Sequence, residues 1–218
     1  MLLKVKGLLF DLDGTLLDTA PEFTHCLNLL LNSQGMPPIT VTALRSFVSF
    51  GASGMLEFGL NLNPQHPKFT VLKEQFLNFY RQGLGNLSSL FSGIPAILET
   101  IQLQNLPWGI VTNKPQCFTD PLVQKFSPLR RTQCIVSGDT LLTSKPDPAP
   151  LLYACEILKI SPKNCWYIGD AKSDVEAAHR SGMQCAIAKY GYIPQNEDPL
   201  TWQPDRILSH PEEIKQLL

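Results

Sequence analysis

Asp11-Leu12-Asp13-Gly14-Thr15 places two carboxylates two residues apart at the end of an apolar run. In an extended chain, residues i and i+2 face the same way. Asp11 and Asp13 can therefore address one site while Leu12 packs inward, and Gly14 lets the chain turn sharply after them. Two acids so placed invite a hard cation; Mg²⁺ favours one or two carboxylates completed by water and phosphate oxygens. Asp and Gly also favour turns, so a plain turn-and-cap cluster is the other reading of this pentapeptide. A further acid, Asp170, follows a second apolar run and can join the same cation. Asp174 lies four residues on, where an acid also suits a helix N-terminus. Thr112-Asn113 closes a third apolar run, and a hydroxyl with backbone N–H groups can hold phosphate oxygens. Lys145, in Lys145-Pro146, supplies positive charge for a dianionic phosphate.

These residues need elements that bring them together. Residues 5–10 read as a buried strand ended by Asp11. Residues 21–32 have helical periodicity through Phe23, Cys26, Leu27, Leu30 and Leu31, with Pro21 in the first turn. Weaker helical patterns cover 40–60 and 67–82, and another helix is expected at 94–103. From there the pattern alternates. Strands are expected at 108–112, 133–137, 165–168 and 184–188, and helices at 117–126, 148–158 and 173–180. Asp147 can cap the helix that begins at Pro148. Repeated strand–helix units predict an α/β fold with a parallel sheet, whose ligands bind beyond the carboxyl ends of the strands. About a hundred residues separate Asp13 from Thr112, against roughly 30 for a simple βαβ unit. The surplus predicts an inserted, mostly helical module at about 17–84.

The 218 residues suffice for a substantial core. With 44% apolar and 17% charged residues, the composition excludes a disordered chain. The 18 basic and 19 acidic side chains nearly cancel and form no run, so no nucleic-acid partner or lipid surface is expected. No apolar stretch reaches roughly 18 residues, which argues against a membrane span. The six cysteines lack metal-ligand spacing and read as reduced core thiols of a cytoplasmic protein.

Asp-Leu-Asp-Gly-Thr at 11–15, Thr112-Asn113, Lys145-Pro146 and Gly169-Asp170 with Asp174 resemble, in order, the four motifs of the haloacid dehalogenase superfamily. The resemblance covers nearly the whole chain, and Asp13 is similar to the second acid of its phosphatase branch. It implies a Rossmann-like core from 1–16 and 85–218, with 17–84 as a small helical cap. It also implies that Asp11 is the nucleophile forming an aspartyl-phosphate, and Asp13 the general acid/base. Thr112, Asn113 and Lys145 would bind the phosphoryl group. Asp11, the main-chain carbonyl of Asp13, and Asp170 would hold Mg²⁺, with Asp174 as an outer carboxylate. Ala171 departs from the Ser or Thr common in relatives.

The substrate implied is a small phosphorylated metabolite. Arg45-Ser46 and the segment Phe50-Gly51-Ala52-Ser53-Gly54 resemble the specificity segment of phosphoglycolate phosphatase-like members, and Arg45 could pair with a substrate carboxylate. Tyr190-Gly191-Tyr192-Ile193, Asp198-Pro199 and Trp202 resemble a bacterial subgroup that hydrolyses N-acetylmuramic acid 6-phosphate. A sugar phosphomutase shares Asp11 and Asp13. A phospho-aspartate receiver domain also uses Mg²⁺, Thr and Lys, but its acidic pair is adjacent in sequence and it has no large insert.

Overall fold

The computed structural model describes residues 5–218; the first part of the opening run, 1–4, lies outside the described residues. In chain order the elements are β1 (Gly7–Phe10), β2 (Leu17–Asp18), α1 (Ala20–Ser33), α2 (Val41–Arg45), α3 (Gly51–Leu60), α4 (Phe69–Gly83), β3 (Ser89–Leu90) and α5 (Ile94–Leu103). There follow β4 (Trp108–Val111), α6 (Gln116–Lys125), β5 (Cys134–Val136), α7 (Ala149–Leu158), β6 (Cys165–Gly169), α8 (Lys172–Ser181), β7 (Gln184–Ala188) and β8 (Arg206–Leu208).

The chain divides into two units. One runs up to Leu17 and resumes at Leu90–Leu218; the other is Asp18–Ser89. The chain passes between them through the short paired strands β2 and β3.

The first unit holds a six-stranded sheet in the order β5-β4-β1-β6-β7-β8, with parallel pairing throughout. Numbering only its own strands, that order is 3-2-1-4-5-6, the doubly wound Rossmann arrangement. β1 lies centrally, and Leu8, Leu9 and Phe10 are fully buried. That is why it reads as an unbroken apolar run. Register aligns Phe10 with Ile110 of β4 and with Ile168 of β6. Because the strands are parallel, the residues following β1, β4 and β6 emerge at one edge. Asp11 extends this pairing, donating its N–H to Ile168 O at 2.8 Å.

The second unit is helical. Phe23 of α1 stacks on Tyr80 of α4 with ring centroids 4.5 Å apart. Glu22 is buried and accepts from Gly85 N at 2.8 Å, Asn86 N at 3.0 Å and the Ser88 hydroxyl, closing the turn after α4. Such a buried carboxylate is tolerated because donors surround it.

Some expectations differ in detail. The 40–60 helix splits into α2, a 3₁₀ turn at Val48–Phe50, and α3, with Gly51 at φ 67° making the break. Helix α7 begins at Ala149, so Pro148 takes the cap position, while Asp147 Oδ1 still accepts Ala149 N–H at 2.9 Å. Strand β8 and the 3₁₀ helix Pro211–Leu217 had no anticipated counterpart. The core-thiol reading fails for Cys117, which is exposed at the start of α6; the other five cysteines are buried and all six are unbridged. Among the described residues, no helix is long and apolar enough to cross a membrane.

Candidate active site

The loop after β1 turns tightly: Leu12 O accepts from the N–H groups of Leu16 and Leu17, and Gly14 N donates to Leu17 O. Gly14 has φ +80°, and a Cβ there would lie 2.1 Å from Asp170 Oδ2. Both the turn and the close approach demand glycine. Leu12 is fully buried, as the alternation requires.

Asp11 Oδ1 accepts Leu12 N–H at 2.8 Å and pairs with Lys145 Nζ at 3.1 Å. Lys145 is buried and donates to Asp174 Oδ1 at 2.8 Å, to Tyr167 Oη at 2.6 Å and to Val111 O at 3.1 Å. Burial opposes its charge, yet Asp11 and Asp174 together outweigh that and raise its pKa. Asp174 sits in the first turn of α8. Its Oδ2 accepts Asp170 N at 3.0 Å and Ala171 N at 2.9 Å, and its Oδ1 also lies 3.3 Å from Tyr167 Oη.

Asp170 is buried. Its Oδ2 accepts Tyr192 N at 2.8 Å and its Oδ1 lies 3.4 Å from Thr15 Oγ1. Burial, then repulsion from Asp11 and Asp174, push its carboxyl well above the usual range. For Asp11, burial lifts the carboxyl from 3.8 to about 6 against the pull of Lys145, with Asp174 and Asp13 adding repulsion.

One oxygen each from Asp11, Asp170 and Asp174 lies within 4.8 Å of the others. An all-oxygen set of mutually repelling carboxylates, two of them buried and Asp11 half-buried, fits a hard divalent cation. Asp13, expected to contribute its main-chain carbonyl, turns its carboxylate to Lys114, with Nζ at 3.0 and 3.2 Å from its two oxygens. Asp174, expected as an outer carboxylate, lies inside this cluster but is already committed to four donors.

Thr112 is buried and its Oγ1 accepts Lys114 N at 3.3 Å. Asn113 was expected to hold phosphate. Its side chain spans the Lys145 backbone, accepting from Lys145 N at 3.0 Å and donating to Lys145 O at 2.9 Å. Arg45 lies in the helical unit and pairs there with Asp18 at 3.0 Å. The structure therefore assembles Asp11, Asp13, Thr112, Asn113, Lys145, Asp170 and Asp174 in one unit; Arg45 belongs to the other.

Sequence reasoning missed Tyr167, and it marked Gly191 and Tyr192 only as part of a subgroup resemblance, not as neighbours of Asp170. Tyr167 is the one hydroxyl in an otherwise apolar strand, a weak signal. Gly191 packs so closely that a Cβ would lie 2.4 Å from Gly14 O and 2.5 Å from Asp170 Cβ. Its place between two tyrosines just after β7 was the available clue.

The model of the haloacid dehalogenase-like hydrolase family matches residues 8–188, and the chain belongs to that family. Within the family it is phosphatase-like. It is 38% identical over 216 residues to a Pseudomonas aeruginosa protein named N-acetylmuramic acid 6-phosphate phosphatase, covering 99% of this chain and 96% of that one. It is 35% identical over 209 residues to a phosphoglycolate phosphatase of Xanthomonas campestris pv. campestris, covering 96% and 94%. The crystal structure of a predicted phosphoglycolate phosphatase from Haemophilus somnus superposes with a TM-score of 0.87 at 26% identity, covering 100% of this chain and 99% of that one.

Proposed function

We propose that the protein is a Mg²⁺-dependent phosphomonoesterase working through an aspartyl-phosphate. The observation that carries this is Asp11 held at 3.1 Å from a buried lysine, inside a carboxylate cluster within 4.8 Å, with Asp13 two residues along the same loop. Asp11 attacks phosphorus as the ester P–O bond breaks, and Asp13 gives its proton to the departing alkoxide. Asp13 then takes a proton from water, whose oxygen bonds to phosphorus as the Asp11–phosphorus bond breaks, releasing phosphate. Lys145 and Thr112 neutralise and hold the phosphoryl oxygens. Asn113 fixes the Lys145 backbone. Asp11, the Asp13 main-chain carbonyl and Asp170 would hold Mg²⁺, which shields an anionic nucleophile from an anionic substrate. Asp174 orients Lys145 and the backbone beside Asp170.

The helical unit Asp18–Ser89 serves as the cap that selects the substrate, a small metabolite that carries a carboxylate as well as its phosphoester. Phosphoglycolate and N-acetylmuramate 6-phosphate both qualify, and full-length relatives are named for each at similar identity. Arg45, drawn from Asp18, is the candidate partner for that carboxylate. The buried thiols suit the reducing cytoplasm, where we place the enzyme. The test is a phosphate-release screen over both compounds and common sugar phosphates, with and without Mg²⁺. Turnover of at least one ester, lost in Asp11→Asn while the fold is kept, is expected. An active Asp11→Asn enzyme would sink the reading.

A further inference from the structure

We propose that Lys114 is a positioning residue, whose ammonium fixes the Asp13 carboxylate in the orientation needed for proton transfer at the phosphoester oxygen. The inference rests on the phosphatase reading above. Lys114 Nζ lies 3.0 and 3.2 Å from the two Asp13 oxygens, a two-point hold. The lysine side chain is only 5% exposed. A lysine is ordinarily a solvated, flexible point charge; this one is withdrawn from water and holds both oxygens of Asp13.

The main chain of Lys114 is fixed as well. Its N–H donates to Thr112 Oγ1 at 3.3 Å, and its O accepts Gly138 N at 2.9 Å and Thr119 Oγ1 at 3.1 Å. Gly138 presses on the same loop, since a Cβ there would lie 2.2 Å from Asn113 O. Three consecutive residues thus set three parts of the site. Thr112 offers its hydroxyl, Asn113 clamps the Lys145 backbone, and Lys114 clamps Asp13. A substrate seated on this loop is registered against the acid/base at the same time, and registration within a fraction of an ångström is what proton transfer in the transition state rewards.

The test compares full-length wild type, Lys114→Met, Asp13→Asn and the double variant, all with Mg²⁺. The substrates are an alkyl phosphomonoester that the wild type turns over and p-nitrophenyl phosphate. For Lys114→Met, kcat on the alkyl ester is expected to fall roughly 10–100-fold, a share of what general acid–base catalysis supplies, with KM within about threefold. Nitrophenolate leaves without needing a proton, so the first equivalent of it should still appear in a fast burst. In the Asp13→Asn background, Lys114→Met should change nothing further. If Lys114→Met does not fold, Lys114→Gln carries the same comparisons. A tenfold rise in KM, or in the inhibition constant of inorganic phosphate, with kcat unchanged would make Lys114 a phosphate ligand and overturn the inference. Additive losses in the double variant would overturn it too. Wild-type kcat in Lys114→Met overturns this inference alone, whereas a wild type that releases no phosphate from either ester overturns the phosphatase reading with it.

Discussion

Replacing the nucleophile candidate is expected to make the metal-free protein more stable. Burial, partly offset by Lys145, lifts the Asp11 carboxyl from 3.8 to about 6. A folded-state value above the unfolded one means that the folded chain holds the proton more tightly. Stability is therefore greatest below about 3.8, declines as pH rises to about 6, and stays lower above that. About two units at 1.36 kcal/mol each amount to about 3 kcal/mol at neutral pH. The attraction to Lys145 is already inside that figure, since it lowers the same value. Asparagine carries no charge at any pH, so Asp11→Asn should recover up to about 3 kcal/mol. At roughly 2–4 °C per kcal/mol for a chain of this size, the melting temperature should rise by roughly 6–12 °C. The assay is scanning calorimetry in excess chelator at about pH 8 and about pH 4. The gain should be present at the first and nearly absent at the second, where the wild-type carboxyl is protonated. Added Mg²⁺ should narrow the difference by stabilising the wild type more. An Asp11→Asn protein that melts at or below wild type at about pH 8 in chelator refutes the reasoning, because the lysine pair would then outweigh desolvation.

Gly191→Ala would drive a methyl group into Gly14 O and Asp170 Cβ. A displacement of that order costs roughly 100-fold in kcat/KM, with a raised Mg²⁺ requirement; unchanged kinetics would show that Asp170 tolerates the shift. Tyr167→Phe removes the hydroxyl shared by Lys145, Val111 O and Asp174. It should cost about 1–3 kcal/mol in urea unfolding and lower kcat less than any aspartate variant does. Glu22→Ala strips the partners from Gly85 N, Asn86 N and the Ser88 hydroxyl. A loss of about 2–4 kcal/mol in the same assay is expected, and a loss below about 0.5 kcal/mol would show that water replaces the carboxylate.

Three of the residues that could be read in the sequence share one trait. Asp11, Thr112 and Asp170 each end an apolar strand, and a parallel sheet collects such ends on one edge. What could not be read depends on contacts between distant segments. Asn113 looked like a phosphate holder because of where its strand ends. That its amide also grips the backbone of Lys145, thirty-two positions away, could not be seen. Tyr167 looked like an ordinary strand former, and only the arrival of Lys145 and Asp174 gives its hydroxyl a task. Nothing in the sequence sets Lys114 apart from other lysines; the Gly138 N–H that holds its backbone comes from a loop beyond the next strand. Tyr192 reaches Asp170 through a main-chain N–H, which every non-proline residue carries and no side-chain pattern reveals. Strand β8 escaped notice because three residues cannot display a period.

The charges at this edge say why the proposed phosphatase site would need a cation. Four carboxylates, Asp11, Asp13, Asp170 and Asp174, face two ammonium groups. Lys114 is matched to Asp13, and Lys145 is shared by Asp11 and Asp174. Asp170 accepts from the neutral donors Tyr192 N and Thr15 Oγ1; burial and then two like charges raise its pKa against a weaker pull from Lys145. Fully ionised, the set carries two excess negative charges. Two unit charges about 5 Å apart at an effective dielectric of about 20 repel by about 3 kcal/mol, so a phosphate dianion entering the bare site meets several times that. One divalent cation cancels the excess without disturbing either lysine. Swapping Asp170 for a neutral residue would relieve the repulsion but remove the carboxylate of this set that, among the described residues, is in no direct ion pair with Lys114 or Lys145. The carboxylate that is costly to bury is therefore the one best suited to receive a cation.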